Sequence, residues 1–393
     1  MTVTRARPEL TAAVAAVVFL LAWGALHFGF YEREQIVDTP VYESYGRAMA
    51  DGQVPYRDFE VEYPPLALPV FLVPALGDGD YRAAFETLMA LLGCFLVLFV
   101  AYAARELGLG FGSVAFVALS PLLIGSVILT RFDLWPAMLT AAALAALVAG
   151  RLRLGHLALG LAIAAKLYPG VLLPLAVAYA WRREGRREAL RGLGLTIGIV
   201  AVTYLPFLLI APGDTASSIG RQLSRPLQIE SLGSAALLAG HHLFGVELTM
   251  HSSHGSQNLD GAGADVVAVL VSVVQVAVLV WLWVRFARGP ATPQRLATYA
   301  AAVLVAFVAL GKVLSPQFLI WLVPVVPLAR RWSATALLAL ALVLTQLWFP
   351  YRYWDLVDEF DAFVAWLVVA RDLALVAVLL VLMGQERESP RNA

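Results

Sequence analysis

Unbroken apolar stretches of about 20 residues recur along this chain, each long enough to cross roughly 30 Å of hydrocarbon. Soluble domains carry no such series, so the chain is expected to fold as a set of membrane-crossing helices. Composition agrees: 60% of residues are hydrophobic, 14% are charged and the mean hydropathy is +0.77. The formal net charge of zero identifies no partner, and no nucleic acid is implied. The single cysteine, Cys94, lies inside an apolar segment, which excludes an intramolecular disulfide and makes it a small packed hydrophobe.

Twelve candidate spans cover residues 9–30, 83–104, 112–130, 134–150, 154–166, 168–182, 192–211, 264–286, 296–312, 316–329, 332–349 and 362–384. Three of them, 154–166, 168–182 and 316–329, fall short of a full crossing. The run from Leu10 to Phe30 follows Arg5 and Arg7 but is too long for a signal-peptide core and lacks a small-x-small cleavage site, so it reads as a retained first helix. Residues 66–76 are apolar but short and rich in proline, which suits an interfacial helix better than a span.

The arginines set the orientation. With the N-terminus inside, every short inner loop carries at least one arginine, including the run Arg182, Arg183, Arg186, Arg187 and Arg191 and, at the termini, Arg5, Arg7, Arg387 and Arg391. Both termini are then cytoplasmic, and the long segments 31–81 and 212–263 face outward. Tryptophans near the span ends form an aromatic belt and receive no functional role. The expected architecture is an all-α polytopic membrane protein of about twelve helices. Residues 1–393 would form one membrane-embedded domain with interfacial helices in its first outer loop.

That loop is a polar island in a greasy chain. Asp38-Thr39-Pro40 reads as a helix start, with Asp38 at the cap, proline in the first turn and Gly52 as the stop. The positive end of a helix favours an ionised carboxylate, as a general base requires, although capping alone explains Asp38 equally well. Further on, Asp58, Glu60 and Glu62 alternate with Phe59, Val61 and Tyr63, which in an extended strand aligns three acids on one face. Such a face binds sugar hydroxyls or a metal, or is merely solvated; Glu60 is assigned the solvated role.

Lysine occurs only at Lys166 and Lys312, against twenty-six arginines. Both stand at the outward end of an apolar span and precede a helix-interrupting proline, Pro169 or Pro316. A compact ammonium in that place suits a phosphate oxygen, the alternative being snorkelling to headgroups. Arg131 and Asp133 occupy a tight outer turn, where they either pair with each other or add a third cation, Arg131, to the phosphate cluster. The 212–263 loop holds Arg221, Arg225 and four histidines, of which His251 and His254 have a metal-like spacing in a Ser- and Gly-rich setting. Solvated histidines are the expectation there.

In order, Asp38, the VYESYG…PYRDF…EYPP run, KLYP at 166–169 and K-x-x-SPQ with Trp321 and Pro324 resemble integral-membrane glycosyltransferases of the GT-C superfamily, family 87 above all. That resemblance implies inverting transfer of a hexose, mannose foremost, from a polyprenyl-phosphate donor to a glycolipid or lipid-linked glycan acceptor at the bacterial plasma membrane. Asp38 would be the catalytic base, and Lys166, Lys312 and Arg131 would bind the donor phosphate. Tyr42, Tyr56, Asp58, Glu62, Tyr63, Asp133 and Gln317 would contact substrate. Many superfamily members place a second acid beside the first; here Thr39 follows Asp38, so no metal or other cofactor is expected, with a divalent ion left open. The rival reading is a transporter or flippase whose broken helices begin at the two lysines.

Overall fold

The computed structural model describes residues 8–32 and 36–384, so Arg5, Arg7, Arg387 and Arg391 of the topology argument lie outside the described residues. Helices dominate, and the chain divides into two compact units, Met1–Leu223 and Ser224–Ala393.

In the first unit, Pro8–Ala25 packs on Tyr81–Glu106 and Gly112–Ile124, while Leu134–Val148 lies between Tyr81–Glu106 and Leu152–Ala165. The expected 112–130 span is interrupted at Gly125, whose φ of +72° closes the first helix before the short turn Val127–Thr130 begins. Arg186–Ile210 runs along Leu152–Ala165. In the polar loop, Thr39–Ala50 is the helix that Asp38 and Pro40 predict, and Gly52 (φ +84°) ends it by donating to the Met49 carbonyl. The apolar 66–76 segment becomes Leu68–Ala75, packed against that helix.

The contact between these two short helices is tight enough to test. A Cβ at Gly46 would collide with the carbonyl oxygen of Phe71, which backbone cannot yield cheaply. Gly46→Ala is therefore expected to cost about 1–3 kcal/mol, read as a lower Tm of the purified protein.

In the second unit, Ala362–Gly384 packs against Trp332–Gln346, Pro293–Ala309 and Leu232–Phe244. The stretch expected to form a span at 316–329 is instead three short turns, Pro316–Phe318, Leu319–Leu322 and Val326–Ala329, because Pro324 and Pro327 deny it a continuous ladder. Among the described residues, four helices are long and apolar enough to cross a membrane: Tyr81–Glu106, Arg186–Ile210, Ala262–Arg288 and Ala362–Gly384. Arg186–Ile210 and Ala262–Arg288 keep most of their apolar side chains exposed or half-buried, surface that lipid would cover.

The second long loop departs from an all-helical reading. Its first part, Pro212–Leu223, is a helix of the first unit. Its remainder carries a three-stranded antiparallel sheet with Ser256–Asp260 between Leu227–Gln228 and Thr249–Ser253. His254 (φ +54°) and Gly255 (φ +65°) make the tight turn of its hairpin, the pattern that matches strand twist.

Candidate active site

Asp38 occupies the cap position of its helix but makes no side-chain capping bond. Its carboxylate turns instead to Arg131, whose Nη1 pairs with Oδ2, while the Tyr42 hydroxyl donates to the same oxygen at 3.3 Å. Arg131 also donates from Nη2 to the Ile36 carbonyl at 3.3 Å, tying the turn at 131–133 to the entry of the Asp38 helix. Capping alone therefore does not account for this acid. Burial raises the Tyr42 hydroxyl well above its ordinary pKa, with the nearby Tyr63 and Asp133 adding to the effect, so Tyr42 stays protonated and donates.

Asp133, only 1% exposed, accepts from Lys166 Nζ at 2.6 Å. Lys166 leaves the end of Leu152–Ala165 in extended conformation, which aims its side chain into the protein rather than toward headgroups. Between the two ion pairs sits buried Phe132. Lys166 Nζ lies 4.6 Å from its ring centroid, and Tyr42, Tyr63 and Phe71 meet the ring edge-on at 5.0–5.7 Å. Sequence reasoning passed over Phe132, although a lone aromatic between opposite charges is the available signal.

The remaining candidates of the loop separate. Tyr63 joins the aromatic cluster, and burial raises its hydroxyl. Tyr56 is buried in a left-handed conformation (φ +66°) and donates to the Tyr63 carbonyl at 2.6 Å, so it shapes the loop. That turn also removes Asp58 from the expected row of acids. Its Oδ2 accepts from the Val54 amide at 2.7 Å, and both of its oxygens hold Arg57. Those bonds lower its pKa to about 2. Glu62 keeps its place: it lies beside Tyr45, whose hydroxyl is pushed up to about 12 mainly by burial, and its carbonyl accepts from Gln222. Glu60 is exposed, as expected, and reaches Arg221 at 2.6 Å.

Lys312 and Gln317 belong to the second unit, Lys312 in the loop after Pro293–Ala309 and Gln317 in the turn Pro316–Phe318. There the loop is bonded to Gln228, and the last helix, Ala362–Gly384, carries a fully buried pair, Arg371 and Asp372. These two were missed although an Arg-Asp pair inside an apolar run is legible as an intramembrane charge. The histidine spacing yields a hairpin, with His251 on a strand and His254 in the turn. Among the described residues, no three His, Cys, Asp or Glu side chains gather into a set that would hold a metal ion.

The model of glycosyltransferase family 87 matches residues 62–316, well over half the chain. Arg131, Asp133, Lys166 and Lys312 fall within the match and Asp38 precedes it. No curated protein matches the sequence. A polytopic apolar chain with this matched segment is an integral-membrane glycosyltransferase, and it belongs to glycosyltransferase family 87.

Proposed function

We propose that the chain transfers a hexose, foremost mannose, from a polyprenyl-phosphate donor to a glycolipid or lipid-linked glycan, with inversion, on the outer face of a bacterial plasma membrane. The observation that carries this reading is the grouping of Asp38, Arg131, Asp133 and Lys166 around Phe132. A sugar on a lipid phosphate already has a good leaving group, so the site needs a base and cations rather than a strong acid. The acceptor hydroxyl oxygen bonds to the anomeric carbon, its proton passes to Asp38, and the carbon–oxygen bond to phosphate breaks with the electron pair leaving on phosphate. Lys166 stabilises that developing charge, and Asp133 orients Lys166. Arg131 holds Asp38, so its first duty is to the base rather than to the phosphate. Lys312 is assigned a phosphate contact on the sequence argument. The outward face and cytoplasmic termini rest on the arginine distribution.

The purified protein in detergent, given a panel of polyprenyl-phosphate sugars and a glycolipid extract, should form a hexosylated lipid seen by mass spectrometry. Detergent has no second compartment, so transfer there also excludes a flippase as the whole function. Absence of product from every donor on the panel would sink the reading.

A further inference from the structure

The Lys312 loop is fastened with unusual thoroughness. The Gln228 amide donates to the Lys312 carbonyl at 3.0 Å. Its side chain holds Ser315, with Nε2 donating to Oγ at 2.9 Å and Oγ 3.2 Å from Oε1. One residue thus pins both ends of the 312–315 segment. The same Nε2 donates to the Glu230 carboxylate. The Glu230 carbonyl in turn accepts from Arg371 Nη2 at 2.6 Å. Arg371 Nε stands 2.6 Å from Asp372 Oδ1, and its guanidinium lies 5.8 Å from the Trp348 ring centroid. From the other side, Gln275 donates to the Phe307 carbonyl at 2.6 Å, securing the helix end that feeds the loop.

All five members, Gln228, Glu230, Ser315, Arg371 and Asp372, are buried. Burying ions costs several kcal/mol each before pairing, and apolar residues of equal volume often hold a fold as well or better. What such a network adds is a fixed geometry, and the geometry fixed here is that of a lysine loop. Arg225, just before the first strand, is within electrostatic range of Lys312.

We propose that Gln228, Glu230 and Ser315, anchored on Arg371 and Asp372, are positioning residues that set Lys312 for binding a phosphate group. The positioning half stands on the contacts alone; the phosphate half rests on the role given to Lys312 above.

Because the chain has only two lysines, reductive ¹³C-methylation of the full-length protein in micelles gives two side-chain signals, told apart with Lys166→Arg. Gln228→Met and Ser315→Ala should shift or split the Lys312 signal and leave that of Lys166 in place, and Ser315→Thr should restore it. Donor KM should rise about tenfold in the first two, with kcat little changed. An unmoved Lys312 signal in both variants overturns the proposal, as does equal collapse of both signals, which would mark a general structural role. If the signal responds as expected but a short-chain prenyl phosphate leaves wild-type Lys312 unmoved, positioning stands and the phosphate role of Lys312 fails.

Discussion

Asp38→Asn is expected to lower sugar transfer by about 10³-fold while donor KM changes little. Asparagine keeps the shape and can still accept from Arg131 and Tyr42, so the loop should stay folded. What it loses is the capacity to take a proton. A capping role would predict the opposite result, since Asn caps helices about as well as Asp, and Asp38 makes no capping bond to lose. Single-turnover transfer measured beside a binding curve for the donor separates the two. Wild-type turnover in this variant would remove Asp38 from the chemistry.

The second large effect is expected at Lys166→Met. Asp133 is buried and accepts from Lys166, so the substitution breaks a buried ion pair by removing one partner, expected to cost about 3–5 kcal/mol of stability. Transfer should also fall by about 10²-fold or more through loss of the cation at the leaving phosphate. The double variant Lys166→Met with Asp133→Asn dissects these losses: the melting temperature should recover and the activity should not. Recovery of both would make Lys166 a purely structural partner of Asp133. A single variant that melts and turns over like wild type would show that the ion pair serves neither purpose.

Local chemistry was legible in the sequence and partner choice was not. The start at Asp38-Thr39-Pro40 and the stop at Gly52 depend on residues within one turn, and both appear where expected. The choice of Arg131 for Asp38, and of Lys166 for Asp133, depends on how separate helices dock, which no spacing encodes. Asp58 was misplaced for a local reason: strict alternation implied an extended strand, and the left-handed Tyr56 with the Val54–Asp58 bond made a turn. The hairpin at 249–260 went unseen because its strands are short and polar and give no apolar alternation. Arg371 and Asp372 stood in plain view inside the last apolar run, but their link to the Glu230 carbonyl is a tertiary fact.

Phe132 has a consequence for how charge is divided in the site. Arg131 and Asp133 flank it in sequence, and each could neutralise the other at no cost in chain length. The ring is wedged among Tyr42, Tyr63 and Phe71 and capped by Lys166. Two carboxylate–cation pairs stand beside it, Asp38 with Arg131 at a helix start and Asp133 with Lys166 at a helix end. A single apolar side chain thus serves as the common wall of both pairs, so a change at Phe132 would be felt by the carboxylate of one and the ammonium of the other.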